Sequence, residues 1–362
     1  LEEIDVQGLE IAEGAIAQDH GLLITPNHPG HADSLLLWEA LVRLNRRCYV
    51  MTAWQVFAMA KRWERFLFQQ HGCFSVDREG AGLTAFRQAV KVLAETSDPL
   101  AVFPEGDVYH LNDRVRPFRD GTGAMVLSAV KRSRRPVTWI PCAIRYRYIQ
   151  DPTPELEEVM NRLEERLHWR PRSDLPLAAR IYRFAEGLLK LKEIEYLGRA
   201  TNGSLPERIE ALGNEILSRI EERTHLGSIP ETLPQRVKEL RRFIIARLRE
   251  LPENAPEQTQ LANDLEDLFF VVQLYSYPGD YVAENATIER MAETIDKFEE
   301  DFLDLPTARI RGSRRGVITF GEPIVVNESG GRDVARKLAL TAERRVQELL
   351  DRPLQKASRL SA

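Results

Sequence analysis

Between residues 22 and 149, short apolar runs alternate with stretches whose apolar positions recur every three or four residues. That alternation predicts an α/β fold built on a mainly parallel sheet flanked by helices. Strands are expected at 22–25, 48–51, 73–76, 100–103 and 136–148, with helices at 34–44, 53–70, 83–95 and 121–131 between them. The helix at 53–70, entered through Thr52 as a cap and stopped near Gly72, carries Trp54, Phe57, Trp63, Phe66 and Leu67. Rings at that spacing are expected to face the sheet as core.

After Gln150 the texture changes. Asp151-Pro152-Thr153-Pro154 breaks the pattern, and the chain to about Pro306 reads as helices with proline- or glycine-bearing joints and no internal repeat. Residues 317–320 then predict one more strand, Gly321-Glu322-Pro323-Ile324 a turn, and 332–350 a closing helix. A lone late strand needs a sheet to join. The expected organisation is therefore an α/β domain begun by 1–150, interrupted by a long all-helical insertion at 151–306, and completed by 307–362. Within the insertion, the segment 236–251 sets Arg236, Lys238, Arg241, Arg242, Arg247 and Arg249 against Val237, Leu240, Ile244 and Leu248. It reads as a bundle helix with a solvated charged face, or as a helix lying on a membrane surface.

Composition narrows the function classes. Fifty basic against fifty-five acidic residues, a net charge of −5, do not mark a nucleic-acid binder, so any anion site must be local. Cys48, Cys73 and Cys142 are widely spaced in apolar surroundings and read as reduced, buried and inert. No run reaches the length of a membrane span, and no signal-peptide layout is present at the N-terminus. With the chain starting at Leu1 and the first strand expected near Leu22, a preceding segment, such as a membrane anchor, is compatible with the sequence.

Candidate chemistry sits where predicted strands end, the edge at which open α/β sheets bind ligands. In Asn27-His28-Pro29-Gly30-His31-Ala32-Asp33 a histidine precedes an aspartate by five residues. Asp33 can orient the imidazole and leave its other nitrogen as a base, or it can simply cap the helix that follows. His28, His31 and Asp33 are also conceivable metal ligands, at a spacing poor for a binuclear hydrolase. Phe103-Pro104-Glu105-Gly106 ends another run. Glu105 there can accept hydrogen bonds from a polyol or be a solvated turn residue, while Gly106 permits close backbone approach. Arg78, after the strand at 73–76, can bind a phosphate or pair with Asp77.

Taken in order, these segments resemble the glycerolipid acyltransferases typified by 1-acylglycerol-3-phosphate acyltransferases, over residues 6–150 and 316–326. Asn27-His28 with Asp33 matches the first motif of that family and Gly72-Cys73-Phe74-Ser75-Val76-Asp77-Arg78 the second. Phe103-Pro104-Glu105-Gly106 matches the third and Ile140-Pro141-Cys142 the fourth, while Phe320-Gly321-Glu322-Pro323-Ile324 resembles the late turn.

The resemblance implies transfer of an acyl group from acyl-CoA or acyl-carrier protein to a hydroxyl of a lysophosphatidate-type acceptor, as in phospholipid biosynthesis. It implies His28 as general base, Asp33 as its orienter, and Arg78, Phe103, Pro104, Glu105, Gly106 and Arg116 at the acceptor site. Backbone amides near Gly30 or the next helix N-terminus are the expected oxyanion donors. No metal or redox cofactor is expected. The expected partners are the thioester donor, the lipid acceptor and a membrane surface, with the protein peripheral at the cytoplasmic face. On this reading the aromatic helix at 53–70 gains a second interpretation, as an acyl-chain wall or a membrane-facing surface.

Two departures stand out. The threonine and arginine that usually continue the third motif are replaced by Asp107-Val108, so Arg114, Arg116 or Arg119 would have to supply the phosphate cation. The helical insertion is also far longer than the usual connection. Both leave room for an alternative, a non-catalytic lipid- or partner-binding module on the same fold.

Overall fold

A computed structural model describes residues 1–77, 82–227, 232–252, 255–303, 305 and 307–353. These divide into two compact units, 1–152 with 309–362 and 153–308. The fold class is the one expected from the sequence: a mainly parallel sheet with a long helical region inserted in the chain.

The α/β unit opens with β1 (Glu3–Gln7) and α1 (Leu9–Ile16), followed by β2 (Gly21–Pro26), α2 (Asp33–Arg43), β3 (Tyr49–Ala53), α3 (Trp54–Met59), α4 (Arg62–Gln70) and β4 (Cys73–Val76). Then come α5 (Leu83–Glu95), β5 (Leu100–Ala101), α6 (Gly121–Ser133) and β6 (Val137–Tyr148). Strand order is β1-β7-β6-β2-β5-β3-β4, where β7 (Arg314–Phe320) comes late in the chain. β6, β2, β5, β3 and β4 run parallel, so the loops after β2, β5, β3 and β4 emerge at one sheet edge.

Alternation along β2 explains the layering. Leu23 faces a core with α5, α6 and the closing helix, whereas Leu22 and Ile24 face Ala12, Ala15, Leu36, Leu37 and Ala40 of α1 and α2. β7 pairs antiparallel with the distal half of β6, and β8 (Ile324–Val326) with its start, so Gly321-Glu322-Pro323 interrupts what is in effect one returning strand. The expected turn at 321–324 therefore ends in a short strand. β1, unforeseen, lies parallel to β7 at the sheet edge, with Ile4 and Val6 packed on the core and Asp5 bonded to Arg315. Its alternation is too short and too acidic to stand out from a loop.

Three other expectations change. The single helix at 53–70 is two helices. The chain is extended at Ala60 and Lys61, and Glu64 accepts from the Lys61 N–H at 2.6 Å to start α4 anew. The rings of these helices do not form a sheet-facing core, since neither helix contains a buried residue. Of the cysteines, only Cys142 is buried, with Cys48 and Cys73 half-buried; all three are unbridged, and burial pushes their thiols up.

The helical unit contains α7 (Thr153–Arg166), α8 (Leu177–Leu197), α9 (Leu205–Thr224), α10 (Leu233–Glu250), α11 (Glu257–Ser276), α12 (Tyr281–Glu284) and α13 (Ile288–Phe302). It holds a repeat that the sequence reading missed. The helices α8, α9 and α10 start at 177, 205 and 233, each 28 residues after the last. The fourth residue of each is an arginine bonded to a glutamate of the preceding helix, buried in every case: Arg180 to Glu164, Arg208 to Glu193, Arg236 to Glu221. The last two are bidentate, at 2.7–2.9 Å. Arg236 is therefore part of the interior, and Val237, Leu240 and Ile244 place α10 in the bundle core. The chain then returns to β7, β8 and α14 (Arg332–Asp351) of the α/β unit. Among the described residues, no helix is long and apolar enough to cross a membrane.

Candidate active site

The site begins where β2 runs out of backbone donors. Pro26 pairs with Cys142 of β6 but has no N–H to continue the ladder. Asn27, fully buried, continues it with its side chain: Nδ2 donates to the Ile144 carbonyl at 3.0 Å, and the Ile144 N–H donates to Oδ1 at 2.7 Å. Asn112 does the same one step further along β6, accepting from the Tyr146 N–H and donating to the Tyr146 carbonyl at 2.9 Å. Two loops are thereby stitched to a strand that outlasts its neighbour.

His28 follows Asn27. Its N–H donates to Glu105 Oε1 at 2.9 Å, and its ring stacks on Phe103 with centroids 4.1 Å apart and planes at 25°. Nδ1 lies 2.7 Å from Asp33 Oδ2. Asp33 is the first residue of α2, one position past the cap, and turns its carboxylate back into the preceding loop. It does not act as the plain cap. Oδ2 also accepts from the Gly30 N–H at 3.0 Å, and Oδ1 accepts from the Tyr146 hydroxyl.

Asp33 is completely buried, whereas the His28 side chain is 22% exposed. A buried carboxylate that receives two further donors is acceptor-only, so Nδ1 carries the proton it gives to Asp33. Nε2 then keeps its lone pair, with no partner among the described residues. This arrangement can take a proton from a hydroxyl at the sheet edge. Of the amides around Gly30, its own N–H is engaged by Asp33.

Glu105 reaches the same edge because β5 is parallel to β2, with Leu23 opposite Leu100 and Ile24 opposite Ala101. The strand is shorter than expected: Val102 still bonds to Ile24, but Phe103 leaves to cover His28. Glu105 is buried, not solvated, and its second oxygen accepts from the Arg116 N–H at 3.1 Å. Burial pushes its carboxyl up to about 8, against the backbone hydrogen bonds from His28 and Arg116. Both oxygens hold loops in place.

The remaining candidates fall around it. Pro104 is buried and its carbonyl accepts from the Arg119 N–H at 3.0 Å. Gly106 has φ +81°, and a Cβ there would lie 2.3 Å from the Arg119 guanidinium carbon. The glycine thus makes room for Arg119, whose Nε donates to the Glu105 carbonyl at 3.3 Å while the residue remains exposed. The Arg116 guanidinium lies 5.6 Å from the centre of the Tyr109 ring. Arg78 lies outside the described residues. Tyr146 and Asn112 were not foreseen. The alternation Arg145-Tyr146-Arg147-Tyr148 at the end of an apolar strand is the signal that could have found the tyrosine.

The comparison with protein families bears on the α/β unit. Residues 3–145 match the family model described as Acyltransferase. The match spans β1 to β6 and contains His28, Asp33, Glu105 and Arg116, in agreement with the resemblance to 1-acylglycerol-3-phosphate acyltransferases. No curated protein matches the chain significantly. An acyltransferase-family domain supports a transferase role for the chain.

Proposed function

We propose that the protein moves a fatty acyl group from an acyl thioester, acyl-CoA or acyl-carrier protein, to a hydroxyl of a lysophosphatidate-type glycerolipid. The observation that carries this reading is the 2.7 Å contact between His28 Nδ1 and a buried, three-donor Asp33, which leaves Nε2 as a base at the sheet edge.

In this mechanism Nε2 takes the proton of the acceptor hydroxyl while that oxygen attacks the thioester carbonyl. The C–O bond forms, the C–S bond breaks, and the departing thiolate recovers the proton from Nε2. Asp33 stays ionised and stabilises the transient imidazolium. No acyl-enzyme forms, and the steps call on neither a metal nor a redox cofactor. Phe103 fixes the imidazole plane, and Glu105 fixes the backbone on either side of the acceptor. With Asp107-Val108 in place of the family's usual threonine and arginine, Arg119, held against Gly106, and Arg116 supply the cation for a headgroup phosphate. Arg78 remains a candidate from the second motif alone.

The test is thiol release from palmitoyl-CoA, or from an acyl-carrier-protein thioester, with lysophosphatidate, glycerol 3-phosphate, other lysolipids and an uncharged monoacylglycerol. Release that needs both an acceptor and His28 supports the reading. Folded protein that binds acyl-CoA yet transfers to none of these acceptors belongs to the binding-module alternative.

A further inference from the structure

Arg116 and Arg119 lie on a stretch, residues 114–119, that is neither helix nor strand. Its backbone donors are nevertheless all engaged from Val115 onward, Pro117 having none to offer. The N–H groups of Arg116 and Arg119 donate to Glu105 Oε2 at 3.1 Å and to the Pro104 carbonyl at 3.0 Å, in the loop that follows β5. Those of Val115 and Phe118 donate instead to side chains of α14, Gln347 Oε1 at 2.9 Å and Glu343 Oε2 at 2.8 Å. Gln347 Nε2 in turn donates to the Asp113 carbonyl at 3.1 Å and to Asp351 Oδ1 at 2.9 Å. The segment thus hangs between the candidate site and a helix, and the Gln347 amide meets it as a peptide group of a neighbouring strand would.

α14 is suited to that task because it is itself fixed along its length. Glu343, Gln347 and Asp351 recur every four residues, so they share one stripe of the helix. Next to that stripe Ala335, Ala339, Ala342 and Val346 share a core with Phe118. Near the start of α14 the backbone passes so close to Gly123 of α6 that a Cβ on the glycine would lie 2.1 Å from the Ala335 carbonyl oxygen. Midway, Arg345 Nη1 donates to the Glu322 and Pro323 carbonyls at 2.8 and 3.0 Å. At its end, buried Arg145 of β6 donates to the Leu350 and Arg352 carbonyls, both at 2.8 Å. All of this lies beyond residue 145, outside the residues that match the acyltransferase family.

We propose that Glu343 and Gln347 are positioning residues for the acceptor: by holding Phe118 and Val115 they fix where Arg116 and Arg119 present their guanidinium groups to a headgroup phosphate. A cation on a loose segment must be ordered as the phosphate binds, which weakens affinity, whereas a cation already in place escapes that cost. The role in acceptor binding rests on the acyl-transfer reading, but the hold on the segment does not.

Glu343→Ala, Gln347→Ala and the double variant test it, with thiol release followed against acceptor and donor concentration in turn. In the double variant the KM for lysophosphatidate is expected to rise by roughly tenfold, with the KM for palmitoyl-CoA within about twofold of the parent. Glu343→Gln keeps an oxygen for the Phe118 N–H and is expected to retain the parent's acceptor KM. Amide exchange over residues 113–119, read by mass spectrometry on the full chain, is expected to be about tenfold faster in the double variant. An unchanged acceptor KM in folded double variant, or a rise shared equally by donor and acceptor, overturns the inference. So does unchanged exchange. Parent protein that releases no thiol with any acceptor overturns the proposed reaction instead, and the exchange rates still decide whether α14 holds the segment.

Discussion

Buried carboxylates are treated in opposite ways in the two units. Glu105, in the α/β unit, is met by the backbone amides of His28 and Arg116, and burial pushes it up to about 8. Glu193, in the helical unit, also feels burial pushing it up, yet hydrogen bonds from Arg208 and Thr201 hold it down at about 2. Amides satisfy hydrogen bonds without cancelling charge, whereas a bidentate guanidinium does both. The first solution leaves ionisation responsive to its surroundings, as the proposed proton transfer at His28 requires of its neighbourhood. The second fixes charge and geometry together, which suits a scaffold.

The contrast breaks most directly at His28. His28→Ala is expected to reduce acceptor-dependent thiol release by roughly 10²–10⁴-fold, read on protein that circular dichroism shows to be folded. A variant as active as the parent would remove the catalytic half of the comparison. In the helical unit the expected loss is one of stability. Arg208→Met leaves Glu193 buried without a counter-charge, at a cost of about 3–5 kcal/mol in urea unfolding. Adding Glu193→Leu is expected to recover most of it, and folded Arg208→Met protein to keep full turnover. A single variant as stable as the parent would mean that the clamps contribute nothing.

A smaller effect tests the support of Asp33. Tyr146→Phe removes one of three donors and is expected to slow turnover about tenfold, or ~1.4 kcal/mol, with little change in KM. A change confined to KM would place Tyr146 against substrate instead. The smallest effect is a slope. Glu105 has its folded pKa raised from 4.5 to about 8, so the folded chain keeps a proton that the unfolded chain releases. Its contribution to stability is fully present below about pH 4.5 and is lost as the pH rises towards 8. Glu105→Gln should flatten that part of the thermal-midpoint profile, and parallel profiles would contradict the assignment. Glu193, with its pKa lowered, loses its contribution only as pH falls towards 2.

The sheet was legible because β2, β4 and β6 are apolar runs bounded by turn residues, and the helix Leu83–Glu95 carries an unbroken periodicity. β1 was not, since an edge strand with acidic outward positions carries half the usual signal. His28, Asp33 and Glu105 were visible as strand-end residues in ordered motifs. What Glu105 touches was not visible, because its partners are backbone amides, and every residue except proline has one. Asn112 and Tyr146 were hidden for a related reason: they meet only because β6 extends beyond β2, and strand length relative to a neighbour is a property of the sheet. The 28-residue repeat escaped because its signal is short: Ser204-Leu205-Pro206-Glu207-Arg208 and Thr232-Leu233-Pro234-Gln235-Arg236 match, and little between them does.

That repeat gives the helical unit a natural ruler. Glu193 precedes Arg208 by 15 positions, and Glu221 precedes Arg236 by the same number. A chain lacking residues 205–232 would keep Glu193 fifteen positions ahead of an arginine, now Arg236. Removing one whole step therefore preserves the spacing of the clamp and leaves no charge orphaned.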